Sequence, residues 1–375
     1  MSNIDHILLF SILFFVFYCT TNLKQKVINK HFWKIALIPI ILYSIILGCR
    51  YGWGNDYPWY KYRFEHPYGY EEEDFGFRLL NLFIHELGCN YVGAFIIYSL
   101  IFIVGACILI KGYKENKYML ALFLPATLIF STFAIRQAIA HAFVFIGLYF
   151  LHKKKWYSFI FFTLITYSIH PSAIITLLIC TCIYFLFNKP LKYEVTIPIY
   201  IIATLFSNYF NEQITYIISN LIPFISFDNK FQSYIDQSDY WFSSDAINEE
   251  WKQGPITLII SMCFHIAIIY TGYISLKYRP NTKVIYLYNS TILGFIIFRL
   301  TFYFEILRRI ANPFVLLYFI PLGYSLYIFS HDWRLYKKRE IYLCKICHIC
   351  IISYLILYFG RFILQSPNYI FYWEK

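Results

Sequence analysis

Apolar residues run in long blocks along this chain, separated mostly by short polar connections that carry lysine and arginine. A membrane-spanning helix needs about 20 mostly apolar residues, somewhat fewer where charged ends snorkel to the interface. Twelve stretches fit: 6–22, 34–49, 91–110, 118–134, 137–151, 156–170, 171–187, 194–207, 255–276, 284–304, 311–329 and 341–362. The blocks 118–151 and 156–187 are each too long for one span, and polar breaks at Arg136 and His170 divide them. The stretch 194–207 is short and contains Pro198. Merging or splitting such segments moves the count over roughly 10–13 spans. Two connections are long, 50–90 and 208–254. Apolar residues recur at helical spacing in each: Phe75, Leu79, Leu82, Phe83 and Leu87 in the first, Ile214, Ile217, Ile218 and Leu221 in the second. Each loop is therefore expected to hold a short helix lying on the membrane surface. The pattern predicts an all-α polytopic membrane protein, a single integral membrane domain over residues 1–375 with about 12 transmembrane helices.

Composition agrees. Hydrophobic residues make up 59% and charged residues 14%, against about 25% charged in a soluble domain. Disorder is excluded because disordered chains are poor in apolar and aromatic residues. A net charge of +11 would suggest nucleic acid in a soluble protein, but its distribution has another cause. Lys24, Lys26, Lys30 and Lys34 follow the first stretch, which places the N-terminus outside and the first loop in the cytoplasm. The first stretch opens with Asp5 and His6 rather than a basic cluster, and no small-residue cleavage site follows, so it is not read as a secretory signal. With twelve spans, the internal segments take 20 of the 32 basic residues and four of the 21 acidic ones. The charge is thus a topology signal. The bilayer is the expected partner, and nucleic acid is not. The ten cysteines fall mostly inside apolar runs and read as small buried hydrophobes; Cys49 and Cys89 flank one polar loop, where a pairing is open.

An ionisable side chain inside a span is costly and usually faces a cavity or a partner. Arg136, His141, His170 and Arg299 qualify, and Tyr303, Glu305, Arg308 and Arg309 follow the last. In the twelve-span topology all of them face outward, together with Arg50 and Asp56. Several arginines around one outward pocket suit a diphosphate, because guanidinium stays charged and binds phosphate oxygens through paired donors. A histidine there can act as acid, base or donor. Simpler readings stand beside this one. Arg136 can snorkel, His170 before Pro171 can hold a turn, His141 can pair with Gln137, and Glu305 can pair with Arg309. Cys344, Cys347 and Cys350 resemble a metal spacing but lie at helical intervals on one apolar stretch, and the acidic run Glu71-Glu72-Glu73-Asp74 reads as a solvated face.

The segment Arg50-Tyr51-Gly52-Trp53-Gly54-Asn55-Asp56-Tyr57, followed by Tyr60 and Phe64, resembles the signature of the EpsG family, with Asn55 where the family usually has Thr. Gly76-Phe77, Arg136-Gln137, His170-Pro171-Ser172-Ala173 with Ile169 before it, and Arg299 with Tyr303 resemble the family's later motifs, in order and over residues 1–365. The family is related to the Wzy-type polysaccharide polymerases. The resemblance implies a GT-C-like glycosyltransferase of the bacterial inner (cytoplasmic) membrane, working on the outer leaflet. Its substrate would be undecaprenyl-diphosphate-linked oligosaccharide, one lipid-linked chain being transferred to another with release of undecaprenyl diphosphate. A flippase and a chain-length regulator are the implied partners; no nucleotide sugar, cofactor or metal is implied. Arg136 and Arg299 would supply charge to the leaving diphosphate and Arg50 would support them, paired with Asp56. Asp56 or His170 would serve as base. Gln137, Tyr303, Arg308 and Arg309 would complete the binding surface, and Tyr57, Tyr60, Tyr240, Trp241 and Trp251 would stack on sugars. A flippase, an O-antigen-ligase-like transferase and a membrane acyltransferase are the alternatives.

Overall fold

The computed structural model describes residues 2–54, 56–68, 74–207, 209, 213, 254–302, 305–364 and 370–371. Helices dominate: α1 (Ser2–Cys19), α2 (Gln25–Gly48), α3 (Tyr57–Glu65), α4 (Phe75–Glu86), α5 (Tyr91–Lys111), α6 (Met119–Phe133), α7 (Ile135–His152), α8 (Trp156–Ile169), α9 (Ala173–Leu186), α10 (Tyr193–Leu205), α11 (Pro255–Tyr278), α12 (Thr282–Leu300), α13 (Glu305–Leu316), α14 (Phe319–Asp332) and α15 (Lys338–Leu364). A two-residue antiparallel pair, β1 (Arg50–Tyr51) with β2 (Ile370–Phe371), ties the first long loop to the C-terminal segment.

Each of the twelve apolar stretches holds a helix. Seven helical segments are long and apolar enough to cross a membrane among the described residues: α2, α5, α7, α11, α12, the stretch 308–335 and α15. Five shorter apolar helices, α1, α6, α8, α9 and α10, accompany them. The chain is therefore an all-α polytopic membrane protein. Two details differ from the sequence reading. The stretch 311–329 is two helices, α13 and α14, not one. The break in 118–151 falls at Ala134, whose φ −114° and ψ 61° leave the helical region, so Arg136 lies in the first turn of α7 instead of between helices. The ten cysteines are free, so the open pairing of Cys49 with Cys89 is not formed. The helix expected from the apolar spacing in the first loop is α4; the one expected over 214–221 lies outside the described residues.

Local sequence explains the boundaries. The Asn90 side chain accepts the Gly93 N–H at 2.9 Å, and that of Asn281 accepts the Lys283 N–H at 3.1 Å, capping α5 and α12. Between α8 and α9 the backbone extends at His170 (φ −156°, ψ 101°), as a residue before proline prefers. One continuous core joins two groups of helices. In the first, α5 packs on α2 and α7, and α7 on α8. In the second, α12 packs on α13 and α10, and α11 on α14 and α15. The groups meet where α9 touches α7, α12 and α13, and where α6 touches α14. Water does not drive helices together within a bilayer, so close backbone approach at small residues matters more. At Gly105 a Cβ would lie 2.5 Å from the Ala142 carbonyl oxygen, which marks such an approach of α5 to α7.

Candidate functional site

The polar chemistry of the first group gathers at helix ends. The chain leaves α2 through Arg50, which is 1% exposed. Its Nη1 donates to the Leu47 carbonyl at 2.6 Å and its Nη2 to the Thr132 carbonyl at 3.4 Å, and its guanidinium stands 5.2 Å from the Phe95 ring centroid. A small cavity of about 10 Å³, the size of one water, lies between Arg50, Phe95, Ser99 and Ser131. Four residues later Gly54 sits at φ +104°, a conformation that favours glycine, and a Cβ there would lie 2.9 Å from the Thr132 carbonyl oxygen. Arg50 and Gly54 together dock the loop on the C-terminal end of α6. That end leads directly into α7 and Arg136.

Asp56 precedes α3 and is exposed. Along α3, Tyr57, Tyr60 and Phe64 share the inner face, with exposures of 4%, 7% and 2%. The Tyr57 ring packs on Tyr51 and Phe95, and the Tyr60 hydroxyl accepts the Arg136 backbone N–H at 3.4 Å. Helical periodicity turns Trp59 to the opposite face, where it is 39% exposed. Its ring lies 4.2 Å from the Arg63 guanidinium and 5.9 Å from that of Arg136.

The acidic run 71–74 ends at Asp74, just before α4. Its carboxylate Oδ2 lies 3.2 Å from Arg136 Nη1 and 3.9 Å from His170 Nδ1, and its side chain is only 11% exposed. One carboxylate thus stands between a guanidinium at the start of α7 and an imidazole in the α8–α9 turn. Gly76 makes this possible: a Cβ there would lie 2.8 Å from the carbonyl carbon of Ser168 and 2.9 Å from its Cβ. Only a residue without a side chain lets the start of α4 lie against the end of α8. Burial lowers the His170 pKa; Asp74 opposes that shift, while the charges of Arg136 and Arg309 add to it. Gln137 Nε2 donates to the Arg309 carbonyl at 3.0 Å, which brings α13 to the same place. Arg308 is partly exposed and Arg309 exposed. The N-terminal ends of α4 and α7 and the α8–α9 turn therefore meet around Asp74, Arg136 and His170. Helix N-termini carry partial positive charge, so the position favours an anion. His141 sits one turn deeper in α7. It is buried, 2.7 Å from the Gln137 carbonyl through Nδ1 and 3.5 Å from Thr176 through Nε2.

Arg299 has different surroundings. It is 2% exposed at the end of α12. Nε donates to the Tyr200 hydroxyl at 2.8 Å and Nη2 donates to Ser261 Oγ, linking α12 to α10 and α11. Tyr200 also bonds His265 Nδ1 at 2.8 Å, and His265 stacks on Phe295 with centroids 4.0 Å apart. The rings of Tyr200, Phe298 and Phe302 lie within 6.0 Å of the guanidinium.

Tyr240, Trp241, Trp251 and Tyr303 lie outside the described residues, as does the Glu305 side chain. The three thiols on α15 do not converge: Cys344 is buried, Cys347 intermediate and Cys350 exposed. Sequence reading passed over Trp59, Tyr200, His265 and Ser261, and took Asp74 only as part of a solvated acidic run. Three of the five had a usable signal. Asp74 stands where an N-cap residue belongs, ahead of an apolar helix. Trp59 is the ring left outside when Tyr57, Tyr60 and Phe64 are put on one helical face. His265 is an ionisable group inside the apolar stretch 255–276. Tyr200 and Ser261 gave none, because only tertiary packing brings them to Arg299.

The fold and site define a multi-pass helical membrane protein whose charged groups collect at the ends of its helices. The EpsG family model matches residues 33–373, nearly the whole chain, and the chain belongs to the EpsG family. No curated protein and no solved structure matches it. Family and fold together mark it as a polysaccharide-polymerase-like membrane protein.

Proposed function

We propose that this protein polymerises undecaprenyl-diphosphate-linked oligosaccharide repeat units into a surface polysaccharide, as a GT-C-like glycosyltransferase of the bacterial cytoplasmic membrane with its active face and N-terminus external. The observation that carries the reading is the meeting of Arg136, Asp74 and His170 at the ends of three helices. An acceptor sugar hydroxyl attacks the anomeric carbon of the donor, the bond from that carbon to the diphosphate oxygen breaks, and lipid diphosphate leaves. Arg136, with the N-terminal end of α7 behind it and Arg309 beside His170, stabilises the departing charge. His170 takes the hydroxyl proton. Trp59, partly exposed beside Arg136, offers a ring face to a sugar, whereas Tyr57 and Tyr60 hold α3 in place. Arg50 acts through the loop it docks, and Arg299 braces α10, α11 and α12. The exposed side chains of α4, Phe75, Leu79, Phe83 and the following Leu87, form one apolar stripe, which supports a helix lying against lipid.

Neutral imidazole is the form that accepts a proton. Chain growth is expected to be steady near neutrality and to fall as acidification passes the lowered His170 pKa, below the ordinary value of 6.5. His170→Gln should remove that acid limb and cost about 10²–10⁴-fold in rate. A pH profile of the two proteins checks this, and an unchanged limb in the variant would assign the proton elsewhere.

Glycans from a strain lacking the protein test the proposal. Loss of the long ladder with single lipid-linked units remaining outside supports polymerisation. Units trapped on the cytoplasmic side would point to a flippase, and an unchanged ladder lacking acyl groups to decoration.

A further inference from the structure

The Asp74 carboxylate occupies a place that the proposed chemistry has not yet used. Arg136 is the group proposed to take the diphosphate, yet one of its terminal nitrogens faces Asp74 at 3.2 Å. The same carboxylate oxygen is 3.9 Å from His170 Nδ1, beyond a hydrogen bond but within reach of a small side-chain rotation. Asp74 immediately precedes α4, and Gly76 presses the start of that helix against Ser168, two residues before His170. The close packing of α4 on α8 therefore keeps the carboxylate near Arg136 and His170, and the same oxygen faces both.

We infer that Asp74 is a built-in substitute for the substrate's diphosphate: it holds Arg136 while the site is empty and turns to His170 when a lipid diphosphate arrives. The inference rests on the reading of Arg136 as the diphosphate-binding residue. Two anions cannot both make close contact with the same guanidinium edge without repelling each other. An incoming diphosphate, with more charge and more acceptor oxygens, takes Arg136 and pushes the carboxylate toward the imidazole. There Asp74 orients the ring and stabilises the imidazolium that forms when the acceptor hydroxyl gives up its proton. After transfer, the returning carboxylate competes with the lipid diphosphate for Arg136 and speeds its release. Asp74 is thus a positioning residue whose charge weakens product binding and supports proton transfer.

Opposite effects on affinity and turnover distinguish this from a structural role. Asn keeps the shape of Asp but not its charge, and the Asp74 side chain makes no capping hydrogen bond that the change would remove. Purified full-length protein in lipid nanodiscs is titrated with farnesyl diphosphate, a short polyprenyl diphosphate, and the same preparations are assayed for chain extension. Asp74→Asn is expected to bind the probe roughly fivefold to tenfold more tightly than the wild type. Its turnover should fall about tenfold or more, and Asp74→Glu should restore much of it. Unchanged or weaker binding by Asp74→Asn overturns the inference, provided that the wild type binds and Arg136→Ala weakens binding. Wild-type protein that does not bind the probe, or binding indifferent to Arg136→Ala, overturns the diphosphate reading of Arg136 and the role of Asp74 with it.

Discussion

Arg136→Ala should stop chain growth in a protein that still folds, whereas Arg299→Ala should lose folded protein as well as activity. Both arginines lie in motifs that resemble the family's, but their surroundings differ. The Arg136 side chain is 25% exposed and pairs with Asp74 at the edge of the site. Its removal deletes a charge from the place where diphosphate charge develops, and losing one such donor costs about 10²–10³ in rate. The fold loses one ion pair at the edge of the site and a contact with the Trp59 ring, together worth about 1–2 kcal/mol. Arg299 is 2% exposed and bonded to Tyr200 and Ser261 on two other helices. Truncation removes two buried hydrogen bonds made by a charged group, each worth about 1.5–3 kcal/mol, although Tyr200 keeps His265 and Ser261 keeps the Leu258 carbonyl. Thermal unfolding in detergent, measured beside chain extension, separates the two. A stable, inactive Arg299→Ala would instead place Arg299 in the chemistry.

Gly76→Val should be nearly as damaging as loss of Arg136, although Gly76 carries no chemistry. The first side-chain carbon already meets the Ser168 backbone at 2.8 Å, and valine adds two methyl groups. The start of α4 must move off α8, at about 1–3 kcal/mol of strain. Because Asp74 immediately precedes α4, the carboxylate moves away from both His170 and Arg136. Chain extension by Gly76→Val should fall more than tenfold while helix content, read by circular dichroism, stays near that of the wild type. Normal extension by this variant would mean that the close approach of α4 to α8 does not set the site.

Sequence alone carried the helices far. Apolar block length placed all twelve stretches, and the period of Phe75, Leu79 and Phe83 placed α4 within a residue at its end. It also singled out Arg136, Gln137 and His170, since an ionisable or amide group near a break in an apolar block stands out. Two things were hidden for one reason: each depends on which helices meet. Asp74 looked solvated because nothing in an acidic run tells which member turns inward. Arg299 looked like a companion of Arg136 because order along the chain does not say that α10 and α11 enclose it. The burial of Tyr57 and Tyr60, offered as sugar-stacking rings, was hidden for a different cause. A short helix within the loop was not expected over 57–65, and its period buries these two rings and turns Trp59 outward.

The central claim concerns what the protein does with a lipid-linked glycan, and reconstitution tests it most directly. Purified protein in liposomes is given undecaprenyl-diphosphate-linked repeat units, with no nucleotide sugar, and both chain length and free undecaprenyl diphosphate are measured. Polymerisation predicts a ladder of lengthening chains, one lipid diphosphate released for each unit joined, and neither product from Arg136→Ala. Units that cross the bilayer unchanged in length, with no lipid diphosphate released, would contradict it.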